Sequence, residues 1–212
     1  MTLPQGPRSM GEGSPAGRPS TAGIGAALVQ VLGVAALVGA VLHAAKGAVL
    51  VVGGPDLSLV PTFTFLFATG ISGFYLRLGG GQRGLGIAGL TAAGAASIGG
   101  LAGLVYQAQG VAPEDLGAPL GVSSAYLVGT FGILVGLLLL GVATHRAASL
   151  PSGWRTTPLI AGIVWFPLEG LTVVLPDGWG LLAAGLAWMA AAFCLIRPVP
   201  AVERPAIRAP RQ

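Results

Sequence analysis

"GLGIAGLTAAGAASIGGLAGLVY", residues 84–106, runs for 23 positions without a charge, immediately after Arg83. As a helix it would be about 35 Å long at 1.5 Å per residue, enough to cross a hydrocarbon core of roughly 30 Å. It has no polar face to turn towards water. A backbone in lipid must satisfy its own hydrogen bonds, so a Gly/Ala-rich run of this length reads as a helix and not as a barrel strand.

Working outward, five more apolar runs share this character. The six predicted spans cover about Ile24–Ala45, Leu59–Leu78, Gly84–Tyr106, Val122–Thr144, Thr157–Leu175 and Trp179–Ile196. Each has about the 17–25 residues that a transmembrane helix needs. Across all 212 residues 53% are hydrophobic and 8% charged, with mean hydropathy +0.81. A soluble domain carries about 25% charged residues, so this chain lacks the means to cover a water-facing surface. The predicted fold class is therefore all-α: a polytopic integral membrane bundle of six transmembrane helices.

The segments outside the spans are of a different kind. Residues 1–21 are rich in Pro, Gly and Ser without apolar periodicity, and residues 197–212 are Pro-rich and basic. Both read as solvated tails. No connection exceeds about fifteen residues, which leaves no room for a folded soluble domain between spans. The first apolar run is too long for a signal-peptide core, so it is read as a span.

Charge placement predicts the orientation. Arg8 and Arg18 precede the first span, Arg77 and Arg83 flank the second connection, Arg146 and Arg155 lie in the fourth, and Arg197, Arg204, Arg208 and Arg211 follow the last. The other connections hold Asp56, then Glu114 and Asp115, then Asp177, with Lys46 as the one basic residue on that side. By the positive-inside rule the arginine side, with both termini, is cytoplasmic. Tyr75 and Trp154 at one set of ends, with Tyr106, Tyr126 and Trp179 at the other, fit an aromatic belt. The pI near 10 thus reflects topology signals and not a nucleic-acid surface. Arginine outnumbers lysine ten to one amid abundant Gly and Ala, a bias that resembles a GC-rich bacterial proteome, so a bacterial plasma membrane is the expected location.

Helices in lipid have no hydrophobic force between them, so small residues that let backbones approach take over. Gly99–Gly103 in the third span and Gly132–Gly136 in the fourth are such pairs, and the third helix is expected to be central. These faces serve either packing within the chain or contact with a second copy or another membrane protein. Three spans followed by three permit an inverted repeat, a transporter arrangement.

One stretch breaks the apolar rule. In "GIVWFPLEGLTVVL", residues 162–175, Glu169 follows the helix-distorting Pro167 by two positions. A carboxylate near the centre of a span costs about 2.5–3.5 kcal/mol on insertion scales, so such residues face the bundle interior and take a partner. His43 and Lys46, three apart on the first span, are the partners available if that helix continues to about Val52. Glu169, His43 and Lys46 make either a proton- or ion-linked site or one structural polar contact.

Other chemistry finds little support. Gly70, Ser72 and Gly73 spell the Gly-x-Ser-Gly nucleophile pattern of rhomboid-type intramembrane proteases, but Ser72 and His43 are predicted in opposite halves of the membrane. His43 and His145 belong to opposite faces, which does not suit a bis-histidine haem. A single cysteine, Cys194, forms no disulfide within the chain and no thiolate metal cluster, and there is no phosphate-binding loop or zinc motif. No cofactor or metal is expected, and the one partner implied throughout is the lipid bilayer. The functional expectation is a small transporter or permease-like protein; the alternatives are a non-catalytic membrane subunit that binds other membrane proteins and, last, an intramembrane enzyme.

Overall fold

A computed structural model of the chain describes residues 21–57, 59–78, 82–111, 120–170 and 178–197. The predicted tails, apart from Thr21 and Arg197, and residues 112–119 and 171–177, which include Glu114, Asp115 and Asp177, lie outside the described residues.

Every regular element among the described residues is helical. In chain order they are α1 (Thr21–Val51), α2 (Val60–Ile71), α3 (Gly73–Arg77), α4 (Arg83–Ala108), α5 (Leu120–Arg146), a short 3-10 turn (Ser152–Trp154), α6 (Thr157–Gly170) and α7 (Trp179–Ile196). Among the described residues, four helices are long and apolar enough to cross a membrane by length and composition: those over Gly25–Val51, Arg83–Ala108, Leu127–Ala147 and Trp179–Ile196.

The elements follow the predicted spans with three differences. The first helix runs on to Val51 because nothing in "AAKGAVLV" stops it; it ends only at Gly53, whose φ of +73° gives the left-handed cap that glycine adopts without strain. The Gly54 N–H then returns to the Val49 carbonyl at 2.8 Å. The second predicted span is divided at Ser72. Its backbone stays near helical at φ −56° and ψ −23°, and the Tyr75 N–H bonds back three residues to the Ser72 carbonyl at 3.1 Å. This is a local 3-10 tightening, placed where two glycines weaken the helix and the Ser72 hydroxyl donates to the Ala68 carbonyl. The fifth is described as a helix only to Gly170, so Leu171 to Leu175 lie outside the described residues.

The helices close into a ring. α1 packs on α2 and α7, α2 on α4, α4 on α5, α5 on α6, and α6 on α7, while α2 also meets α5 across the ring. Neighbours run antiparallel: Gly33 of α1 lies against Leu195 of α7 and Gly47 against Leu182, while Gly89 of α4 lies against Leu140 of α5 and Gly99 against Ala125. Alternation of direction gathers Arg77, Arg83, Arg146, Arg155 and Arg197 at one end of the bundle and Lys46 towards the other.

Small residues set the spacing. A Cβ on Gly99 would sit 2.6 Å from the Ala125 carbonyl oxygen, and one on Gly132 would sit 2.8 Å from that of Ala92, so α4 and α5 meet backbone to backbone. Gly136 faces Ala93 on the same seam, and buried Gly103 lies one turn beyond Gly99. α4 is not central, however. It is packed on α2 and α5 while Ile87, Ile98, Leu101 and Val105 face outward. The outer surface elsewhere is equally apolar: Val31, Val34, Val38 and Val41 on α1, Phe131 and Val135 on α5, Ile160 and Ile163 on α6. A water-soluble bundle would place polar residues there; an apolar outer surface of this kind is compatible with a membrane protein.

Candidate functional site

Among the described residues, His43 is the ionisable side chain that the ring encloses most tightly. Its side chain is 2% exposed, in α1, where Ala40, Ala44 and Gly47 bring neighbouring helices close. On one side Gly39 lets α2 approach, since a Cβ there would lie 2.7 Å from the Phe67 backbone nitrogen. On the other, Gly185 of α7 meets Ala44, where a Cβ would lie 2.5 Å from the backbone nitrogen. Trp188, three residues past Gly185, is thereby laid over the imidazole.

The result is an aromatic cage. The His43 and Trp188 rings stack with centroids 4.7 Å apart and planes 24° apart, and Phe63 meets His43 edge-on at 4.4 Å. Phe67, one helical turn from Phe63, stacks on Trp188 at 4.1 Å and 9°. Trp165 of α6 lies against Trp188 at 5.8 Å and 25°. Four helices thus contribute one ring or more each to a single cluster. Within it the Nε1–H groups of Trp165 and Trp188 are buried without an acceptor among the described residues. A buried donor left unmet costs about 1–3 kcal/mol, so the cluster retains hydrogen-bonding capacity that packing alone does not use.

Lys46, one turn further along α1, is 6% exposed and pairs with Asp56, Nζ to Oδ1 2.8 Å, the carboxylate itself lying largely in the open. The Gly53–Gly54 cap folds the chain back so that Asp56 reaches a lysine ten positions earlier. Glu169 belongs to the last turn of α6, four residues beyond Trp165, and its side chain lies outside the described residues. Its helix neighbours Gly162 and Trp165 are buried, whereas Ile160 and Ile163 are exposed, so the inward face of α6 is the one that carries Trp165.

Ser72 and His43 are far apart. His43 touches Phe63, and Ser72 is nine residues further along α2, about 13 Å by helix rise. The Ser72 hydroxyl is engaged with its own helix and the neighbouring Thr69 hydroxyl donates to Ser97 of α4 at 3.1 Å. A small notch lined by Val60, Pro61, Thr64, Gly99, Gly100, Gly103 and Ala125 lies at the opposite end from the arginines, with space for about one water molecule. Among the described residues no three His, Cys, Asp or Glu side chains gather in a way that would hold a metal ion.

Of the rings around His43, the sequence reading missed Phe63, Phe67 and Trp188. Phe63 and Phe67 carry a readable signal, four apart on one face of an otherwise hydroxyl- and alanine-containing helix, but Trp165 and Trp188 join them only through the ring order of the helices. No protein-family model matches this chain, and no curated protein or solved structure matches it.

Proposed function

We propose that the chain is a multi-pass membrane protein that crosses the bilayer six times with both termini on the cytoplasmic arginine side, and that it works as a small proton-linked transporter. The observation that carries this reading is His43, an ionisable side chain enclosed at the meeting of α1, α2 and α7 with α6 against them. Ionisable groups placed inside a bundle are costly, and their common use is in proton relays and ion pathways. Glu169, one turn beyond Trp165 on α6, is the group proposed to share a proton with His43. Lys46, held by Asp56, supplies a fixed positive charge one turn away on the outer side.

The test is proton flux in proteoliposomes that carry a pH-sensitive dye and are challenged with mixed small solutes. His43→Gln and Glu169→Gln are expected to lower flux at least about tenfold while leaving the protein monodisperse; unchanged flux in both removes the pair from any mechanism.

A second reading, a non-catalytic subunit that docks on another membrane protein, is supported by α4. Its outward face carries Gly94, around which a Cβ would find nothing within 4 Å, beside exposed Ile98 and Thr91. Crosslinking from that face into a second polypeptide, with no flux, favours it.

A further inference from the structure

We propose that the corner where α3, the 3-10 turn and α7 meet binds the phosphate of an anionic phospholipid. Arg197 is the residue that contacts the phosphate, and the exposed face of α7 seats an acyl chain. The proposal rests on the chain lying in lipid and not on transport.

Several guanidinium groups are fixed at this corner. Arg77 donates from Nη2 to the carbonyl oxygens of Leu195 and Arg197, and its Nε is buried without an acceptor among the described residues. Arg155, next to Trp154 in the chain, donates from Nε to the Leu150 carbonyl at 3.2 Å. Arg197 places its guanidinium 4.7 Å from the centre of the Trp154 ring and 5.1 Å from that of Phe193. Among the described residues no carboxylate accompanies them. Asp56 is paired with Lys46 towards the opposite end, and Glu169 lies in the last turn of α6, whose first turn is at this end.

These contacts differ in what they leave over. The final carbonyls of α7, at the negative end of its dipole, offset the charge on Arg77. The two rings do less for Arg197. A cation–π contact at an exposed site holds the guanidinium in place, but it leaves the fork of N–H donors available and does not cancel the charge. Like charges gathered without a counter-ion repel one another. A planar fork held beside further cations suits a phosphate, which brings negative charge and acceptors in matching geometry.

The surface beneath makes a lipid the fitting source of that phosphate. Phe193, whose ring lies against the Arg197 guanidinium, and Leu186 are both exposed on α7. They are about two helical turns apart on one face, roughly 10 Å by helix rise. An acyl chain lying along Leu186 and Phe193 therefore has its headgroup at Arg197. Basic clusters between helices on the arginine side of a membrane protein are recognition sites for anionic headgroups, and aromatic rings at that level fit the same boundary.

The full chain is purified in an uncharged detergent, and its unfolding temperature is followed while dioleoyl phosphatidylglycerol, dioleoyl phosphatidylcholine or inorganic phosphate is added. Phosphatidylglycerol is expected to raise the Tm at concentrations where the other two leave it in place. Arg197→Gln should raise the half-saturating phosphatidylglycerol concentration roughly tenfold, the weight of a charged hydrogen bond, and Trp154→Leu by a smaller factor. Arg83→Gln removes the same charge from α4, which is not a neighbour of α7 in the ring, and should change it by less than about twofold because separated charges are screened. Equal losses in Arg197→Gln and Arg83→Gln overturn the site in favour of a general attraction to the basic end. An equal response to phosphatidylcholine or to inorganic phosphate overturns the anionic lipid as its occupant. Should Arg197→Gln not fold, Arg197→Lys, which keeps the charge and loses the planar fork, decides by the same comparison. A chain that stays dispersed without detergent overturns the membrane reading itself; a chain that requires detergent and shows no preference for phosphatidylglycerol overturns only the site at Arg197.

Discussion

Arg77 reaches from the end of α3 to the last turn of α7, where its Nη2 donates to the carbonyl oxygens of Leu195 at 2.6 Å and Arg197 at 2.7 Å. The final carbonyls of a helix have no partner within it, and a cation placed there also meets the negative end of the helix dipole. Arg197 completes the corner with its guanidinium 4.7 Å above the Trp154 ring and 5.1 Å from that of Phe193. Arg77 is thus a clamp between residues 118 positions apart.

Arg77→Ala is expected to destabilise the bundle by about 1.5–3 kcal/mol, the range for hydrogen bonds from a charged donor. Arg77→Lys should recover only part, because a single ammonium cannot reproduce the guanidinium geometry over two carbonyls. Thermal unfolding in detergent followed by light scattering reads both. An alanine variant with the wild-type Tm means that the clamp carries no stability.

Two glycines of α4 should behave oppositely. Gly99→Ala forces a methyl against the Ala125 carbonyl and the Gly129 backbone, which cannot give way as a flexible side chain would, and is expected to cost about 1–3 kcal/mol. Gly94→Ala meets nothing and removes a helix-weakening residue, so stability should stay level or rise by about 0.5–1 kcal/mol. Equal losses in both variants would mean that Gly94 is covered by a partner, which is the signature of the subunit reading.

The proposed topology has its own check. In a Cys194→Ala background, Val52→Cys, at the exposed end of α1, should react with a membrane-impermeant maleimide applied from outside. Ser20→Cys, Ser152→Cys and Gln212→Cys should react only after permeabilisation. Labelling of positions 20 and 212 from opposite sides rules out an even number of crossings.

Much of the helix map was readable because charge punctuates it. α7 coincides with the predicted span, and α5 differs by two residues at each end, since Arg146 and Arg197 mark where the apolar runs stop. α1 was read too short because Lys46 looked like an end. A long aliphatic stem and a partner ten residues on let that lysine stay buried inside the helix instead. The 3-10 step at Ser72 came from backbone hydrogen bonding, which composition does not reveal. His43 stood out as a residue, but its neighbours did not: contacts between α1, α6 and α7 depend on how the ring closes, and small-residue faces predict close approach without naming the partner.

The cage around His43 joins the first helix to the last. During synthesis position 43 precedes position 188 by 145 residues, on the order of ten seconds at roughly 5–20 residues per second. Throughout that interval the imidazole stands without the tryptophan that later covers it. Any substitution that delays the arrival of α7 prolongs the time for which the first helix lacks its last packing partner.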